Sequence, residues 1–185
     1  MENNISLRAV ELDDASLLFE WENNQEIWEV SNTIAPFSKY QIEQYVLSAQ
    51  NDIYTTGQLR LMIEANIDGK PEVVGMIDLF DFDAFNQRAG VGVMIHKKWQ
   101  NKKIATKALE ILSEYAFETL LLHQLYCNIS YDNTNSIKLF KNSGFQLIGV
   151  QKDWQKTKDG FKDIWLFQKI NPKYHSTLRK WEVDL

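Results

Sequence analysis

The sequence predicts an α/β fold: a mixed, mostly antiparallel, twisted sheet of six to seven strands with about four helices. Three observations carry this. Along the chain, the two-residue repeat of strands alternates with the 3.6-residue repeat of helices. Turn signals at Asp68-Gly69-Lys70-Pro71 and Lys158-Asp159-Gly160 each separate two strand-like runs. Between those hairpins, residues 89–130 read as strand, long helix and strand, a unit that packs as a parallel, right-handed crossover.

Each element has its local reason. Ile5–Val10 is a short apolar strand. Asp13 or Asp14 can cap a helix whose apolar face is Leu17, Leu18 and Trp21, ending near Asn23–Asn24. Residues Gln25 to Phe37, with Pro36, look irregular. Ser38 caps a second helix with Ile42, Tyr45, Val46 and Ala49 at helical spacing. Leu59–Ile67 and Val73–Phe82 are the arms of the first hairpin, and Ala89–Ile95 is a third apolar run. Ile104, Ala108, Ile111, Leu112, Tyr115 and Thr119 form one stripe of a strong helix. Leu125–Ile129 is a strand and Asn133–Asn142 a helix, with Gly144 where a C-terminal cap belongs. Phe145–Val150 and Phe161–Lys169 close the sheet. The expected domain is 1–170, followed by a polar tail, 171–185, with Trp181 as its one large anchor.

Composition excludes several classes. The 185 residues are 44% hydrophobic and 24% charged, enough for a core and unlike a disordered chain. One cysteine, Cys127, excludes a disulfide framework, and its apolar strand neighbours mark it as packing. His96, His123 and His175 are too scattered for a metal site and also read as packing. The start of the chain lacks a signal-peptide pattern and no stretch is apolar enough to span a bilayer, so a cytoplasmic protein is expected. The net charge of −5 hides an asymmetry: residues 1–95 carry 16 acids against 5 bases, residues 96–185 carry 9 against 15. These charges read either as solvated faces or as an acidic half suited to a cationic ligand and a basic half suited to an anion. Overall acidity argues against a nucleic-acid partner.

The segment from Val91 to Leu109 holds the chemistry. An apolar strand runs into a basic loop that opens the long helix, whose first N–H groups and macrodipole can hold a pyrophosphate. Lys97, Lys98, Lys102, Lys103 and Lys107 crowd that end, either as a solvated loop or as a setting for an anion.

Here the sequence resembles the GNAT superfamily of N-acetyltransferases. Gln100-Asn-Lys-Lys-Ile-Ala105 is similar to the family's pyrophosphate motif, Gln/Arg-x-x-Gly-x-Gly/Ala. Residues Asn133 to Phe145 are similar to its second signature, Asn-x-x-Ala/Ser-x-x-aliphatic-Tyr/Phe-x-x-x-Gly-Phe. The resemblance runs from Leu7-Arg8 to about Ile170. It is nearest the spermidine/spermine and ribosomal-protein N-terminal acetyltransferase branch, which begins with a similar Leu-Arg and acidic stretch. It implies a splayed central parallel strand pair and acetyl-CoA as co-substrate. Val93, Met94 and Ile95 would pair with the pantetheine arm. Gln100, Asn101, Lys102, Lys103, Ile104, Ala105 and Thr106 would wrap the pyrophosphate. Asn133 would bond the pantetheine, although it reads equally as a helix N-cap.

Three positions depart from the family pattern. Lys103 stands for the loop glycine, Phe140 for the tyrosine that protonates the leaving thiolate, and Gly90 for a glutamate on the fourth strand. The base must then come from elsewhere, since an amine of pKa about 10 is protonated at neutral pH. Asp78, Asp81 and Asp83 are candidates; strand alternation puts Asp81 and Asp83 on one face and Asp78 on the other. Asp81 is preferred because it matches an acidic position in the polyamine branch. For the acid, Ser136 and then Tyr131 are candidates, although Ser136 also suits the helix start. Glu22, Glu26, Trp28 and Glu29, with Tyr40 nearby, would face the acceptor, acids beside aromatics suiting a cationic amine; Trp21 and Trp28 are also ordinary core anchors.

The expected activity is direct transfer from acetyl-CoA, in a ternary complex, to a small primary amine such as a polyamine. A protein N-terminal acetyltransferase of the ribosomal-protein type and a non-catalytic acetyl-CoA or polyamine sensor are the alternatives. No metal is expected; the partners expected are a small-molecule amine acceptor and further copies of the chain, as a homodimer or a higher homo-oligomer.

Overall fold

A computed structural model describes residues 4–31, 33–49 and 51–174. His175 and Trp181 lie outside the described residues, as does most of the expected tail. Seven strands form one sheet in the order β1-β2-β3-β4-β5-β7-β6. They are β1 (Ile5–Ala9), β2 (Leu59–Ile67), β3 (Lys70–Asp83), β4 (Arg88–Ile95), β5 (Gln124–Ser130), β6 (Gln146–Thr157) and β7 (Gly160–Ile170). All neighbours are antiparallel except β4 and β5. The helices are α1 (Ala15–Glu22), α2 (Gln25–Ser31), α3 (Lys39–Ser48), α4 (Ile53–Thr56), α5 (Ile104–Glu114) and α6 (Thr134–Asn142).

Each face of the sheet is covered, because β-strand alternation sends apolar residues both ways. On one face α5 and α6 bury Ile104, Ala108, Leu112, Ile137 and Phe140 against Ile77, Leu79, Val91, Leu125 and Cys127. On the other, α1 and α3 bury Leu18, Trp21, Ile42 and Val46 against Met62 and Met76. Truncating a fully buried residue such as Leu112 to alanine costs about 2–5 kcal/mol. Ser38 caps α3 as expected: its hydroxyl accepts from Gln41 N–H, and Gln41 returns a bond to Ser38 N–H. Gly144, at φ +87, ends α6.

The structure differs from the expected elements in four places. The helices number six among the described residues rather than about four. The segment expected to be irregular forms α2, and α4 was not anticipated. Asp14 does not cap α1 through its side chain; its carboxylate takes two hydrogen bonds from Arg8, at 2.6 and 2.8 Å, and one from Glu11 N–H at 2.8 Å. Strand β6 runs on to Thr157, well past Val150. No helix among the described residues is long and apolar enough to cross a membrane.

Candidate active site

The parallel pair is joined only at Arg88↔Gln124, Ala89↔Leu125 and Gly90↔Tyr126. Beyond Gly90 the strands part: β4 stays with β3 through Ile95, and β5 follows β7 through Ser130. The edge of β4 from Gly92 to Ile95 therefore lacks a strand partner on the β5 side. Unpaired strand edges are unsatisfied hydrogen-bonding groups. Val93, Met94 and Ile95 lie on this edge, half-buried, and Gln100 Nε2 donates to Ile95 O at 3.0 Å.

The loop that follows points a helix N-terminus at the same opening. Lys97–Trp99 form one helical turn, and α5 starts at Ile104 after Asn101 (φ 62) and Lys103 (φ 60), both left-handed. The backbone thus demands the conformation that favours glycine at the position where the resembled motif carries it, and Lys103 adopts it nonetheless. No side chain caps α5, and the first intrahelical bond of its leading turn is Lys107 N–H to Lys103 O, 3.2 Å. Among the described residues the N–H groups of Ile104, Ala105 and Thr106 have no hydrogen-bond acceptor, which leaves a ready site for anionic oxygens. The basic cluster is partly offset already. Lys98 pairs with Glu72 at 3.2 Å, Lys107 with Glu110 at 3.2 Å and Lys97 with Glu26 at 3.5 Å. Lys98 and Lys102 also lie over the Trp99 ring, at 4.4 and 4.3 Å.

Across the opening, Asn133 caps α6, its side-chain oxygen accepting from Ser136 N–H at 3.1 Å. The cap uses only that oxygen, so the Asn133 amide retains its two donors. Ser136 is half-buried, and among the described residues its hydroxyl has no partner. Phe140 is core, edge-on to Phe145 at 5.0 Å. Gly90 has a steric reason: an added Cβ would lie 2.3 Å from the Phe80 ring, which occupies the space of any side chain there.

Asp81 sits where β4 and β5 meet. The register of β3 against β4 shifts between Phe80 and Asp83, and Asp81 takes φ 48 in this bulge. Simple alternation, which separated Asp81 from Asp78, therefore fails. Tyr126 OH donates to Asp81 Oδ2 at 3.3 Å and packs edge-on to Phe80 at 6.2 Å, on the face that Asp78 shares. Burial, then the negative charge of Asp81, holds the Tyr126 phenol above its ordinary pKa, so it stays protonated. Asp83 instead pairs with Arg88 at 3.1 Å and takes two bonds from Asn86.

The acceptor-side residues divide. Glu22 is drawn into a partly buried ion network. Arg60 donates from Nη1 to Glu22, from Nε to Asp78 Oδ1 at 2.6 Å and from Nη2 to Asp78 Oδ2 at 3.3 Å, and its guanidinium lies over the Tyr45 ring at 5.1 Å. Trp28 is pinned through Nε1 to Glu22 O at 2.9 Å. Glu26 and Glu29 are exposed on α2, Glu29 bonding Lys162 at 2.5 Å while Lys162 also bonds Asp132 at 2.7 Å. Lys97 and Lys162 thus tie α2 to the end of β4 and to β7. Tyr40 and Tyr131 are exposed, at 68% and 50%. Arg60, Phe80 and Tyr126 were missed by the sequence reading: Arg60 meets Asp78 and Glu22 across 18 and 38 residues, and Tyr126 meets Asp81 across 45, so only strand pairing brings them together.

Residues 4–146 match the family model described as acetyltransferase (GNAT) domain. The uncharacterized N-acetyltransferase p20 of Bacillus licheniformis is 28% identical over 170 residues, covering 92% of this chain and 94% of that protein. The spermidine N(1)-acetyltransferase of Escherichia coli K12 is 25% identical over 150 residues, covering 80% and 75% respectively. Spermidine N-acetyltransferase from Vibrio cholerae, in complex with CoA and spermine, superposes with a TM-score of 0.82 at 20% identity, covering 93% of this chain and 98% of that one. A dodecameric structure of the Vibrio cholerae enzyme gives a TM-score of 0.76 at 20% identity, covering 95% of this chain and 98% of that chain. The chain belongs to the GNAT family, whose acetyltransferases use acetyl-CoA.

Proposed function

We propose that this GNAT acetyltransferase moves the acetyl group of acetyl-CoA to the primary amine of a small cation of the polyamine class. The carrying observation is the cleft itself: an unpaired β4 edge, an uncapped α5 N-terminus beside it, and a net-negative ion network on the other face. The bound co-substrate supplies an acetyl thioester. Lys103 to Thr106 offer backbone N–H groups to its pyrophosphate, and Asn101 completes the turn. Val93 to Ile95 and the free Asn133 amide donors hold the arm along the cleft.

Acceptor amines of pKa about 10 must lose a proton before attack. Asp81, at the closed end of the cleft and oriented by Tyr126, is the group assigned to take it. The new N–C bond forms as the C–S bond breaks, and the sulfur takes a proton from Ser136 or solvent. Glu22, Glu26 and Glu29 give the acceptor side its negative field, with Trp28 fixing the backbone below Glu22. The spermidine acetyltransferases among the relatives support the polyamine choice, and the dodecameric neighbour supports a homo-oligomer.

The test is release of free thiol from acetyl-CoA with spermidine, spermine or an N-terminal peptide as acceptor. Turnover at least tenfold faster with a polyamine than with the peptide is expected. Preference for the peptide would overturn the polyamine reading.

A further inference from the structure

Resting on that reading of the cleft, Asp78, offered by the sequence as a candidate base, takes on a different role. Arg60, Asp78 and Gly92 are consecutive cross-strand partners on β2, β3 and β4. Neighbouring strands lie about 4.8 Å apart, so the row leads from a buried arginine to the open edge of β4. Gly92 is the last residue of the row, because β5 has already parted. A Cβ there would lie 3.7 Å from Asp78 Oδ2 and 3.7 Å from the Phe80 ring, ordinary contact distances. Gly92 also has no positive φ. Neither crowding nor backbone conformation requires a glycine at this point. Its missing side chain leaves a gap in the β4 edge beside Asp78 Oδ2 and the Phe80 ring, the passage that the acceptor would use.

The two oxygens of Asp78 are not equivalent. Oδ1 is held by Arg60 Nε at 2.6 Å, whereas Oδ2, the oxygen facing Gly92, has only the longer 3.3 Å bond to Nη2. Its remaining acceptor capacity points at the passage. The side chains of Arg60, Glu22 and Asp78 are 13%, 12% and 15% exposed, and one cation faces two carboxylates. The network keeps one uncompensated negative charge in a poorly solvated place, which a cationic group can neutralise. Tyr45 adds none, since burial raises its phenol to about 12.

We propose that Asp78 Oδ2, reached past Gly92, is the anchor for the ammonium of the acceptor, with Arg60 and Glu22 as positioning residues that hold the carboxylate in place. The anchor binds and orients the amine; it does not take the proton. A hydrogen bond between charged partners is worth about 10- to 100-fold in affinity, which sets the expected effect.

The test measures KM for spermidine and for acetyl-CoA separately in wild type, Asp78→Asn and Gly92→Val. Asp78→Asn should raise the spermidine KM at least tenfold while acetyl-CoA KM moves less than twofold. Gly92→Val, which leaves the ion network intact and fills the passage, should do the same. If Asp78→Asn fails to fold, the Gly92→Val result decides. An unchanged spermidine KM in folded, active variants overturns the anchor and leaves the polyamine reading standing. Wild type without turnover on spermidine overturns both.

Discussion

Lys103 offers a sharp test of how the loop is built. It holds φ 60 and ψ 10 at the N-terminus of α5, a conformation costing a residue with a Cβ about 1–2 kcal/mol. Lys103→Gly removes that cost. Against it stands the extra freedom of glycine in the unfolded chain, about 0.4–1 kcal/mol. Removing a cation from a helix N-terminus adds about 0.3 kcal/mol in favour of the variant. The balance is stabilisation centred on about 1 kcal/mol, or about 2–4 °C in Tm for a chain of this size. Lys102→Gly is the control. Lys102 is not in the left-handed region, and its amine lies over Trp99 at 4.3 Å, so the same change brings the entropic loss without relief. It should lower Tm by a similar amount. Thermal unfolding of both variants followed by circular dichroism reads the two signs. Shifts of the same sign would refute the claim that the loop backbone, rather than the lysine itself, dictates position 103.

Asp14 gives a pH prediction. Burial opposes its ionisation, but the Arg8 bonds and the Glu11 N–H outweigh it, so its carboxyl sits below the ordinary 3.8. A lowered folded pKa gives stability that is present above the unfolded value and lost as pH falls through the folded one. Urea midpoints of wild type and Asp14→Asn should therefore differ most at neutral pH and converge below about pH 4; a constant gap would contradict the sign. Asp81→Asn should cut kcat at least tenfold with acetyl-CoA affinity intact, and unchanged turnover would remove Asp81 from the chemistry. Cys127 is 2% exposed with its thiol pushed up by burial, so Cys127→Ala should keep full turnover at a stability loss of about 1 kcal/mol. Loss of activity in that folded variant would revive a covalent route.

Local chemistry made much of the fold readable. Ser38, Gly144 and the stripe of α5 from Ile104 to Leu112 act within a few turns of chain and appeared where the sequence placed them; Tyr115 and Thr119, expected on the same stripe, are instead exposed in a π-helical segment past Glu114, where Ala116 and Phe117 are buried. The loop from Gln100 to Thr106 was readable for a similar reason, since strand, loop and helix N-terminus are contiguous. α2 was not, because Gln25–Ser31 buries no residue fully and is held by tertiary ties to Lys97 and Lys162. β6 extends beyond Val150 as an edge strand with alternating exposed residues, a pattern without an apolar run. The bulge at Asp81 inserts an irregularity that a strict two-residue period misplaces. The Arg60 network joins β2, β3 and α1, and no spacing within one segment reveals it.

On the proposed function, the parted strands and the bare α5 N-terminus form an acetyl-CoA site despite Lys103. Calorimetric titration of the purified chain with acetyl-CoA, followed by spermidine, addresses it most directly. Saturable binding of one acetyl-CoA per chain is expected, then the heat of turnover when the amine arrives. A chain that stays folded and gives no saturable acetyl-CoA heat would contradict it.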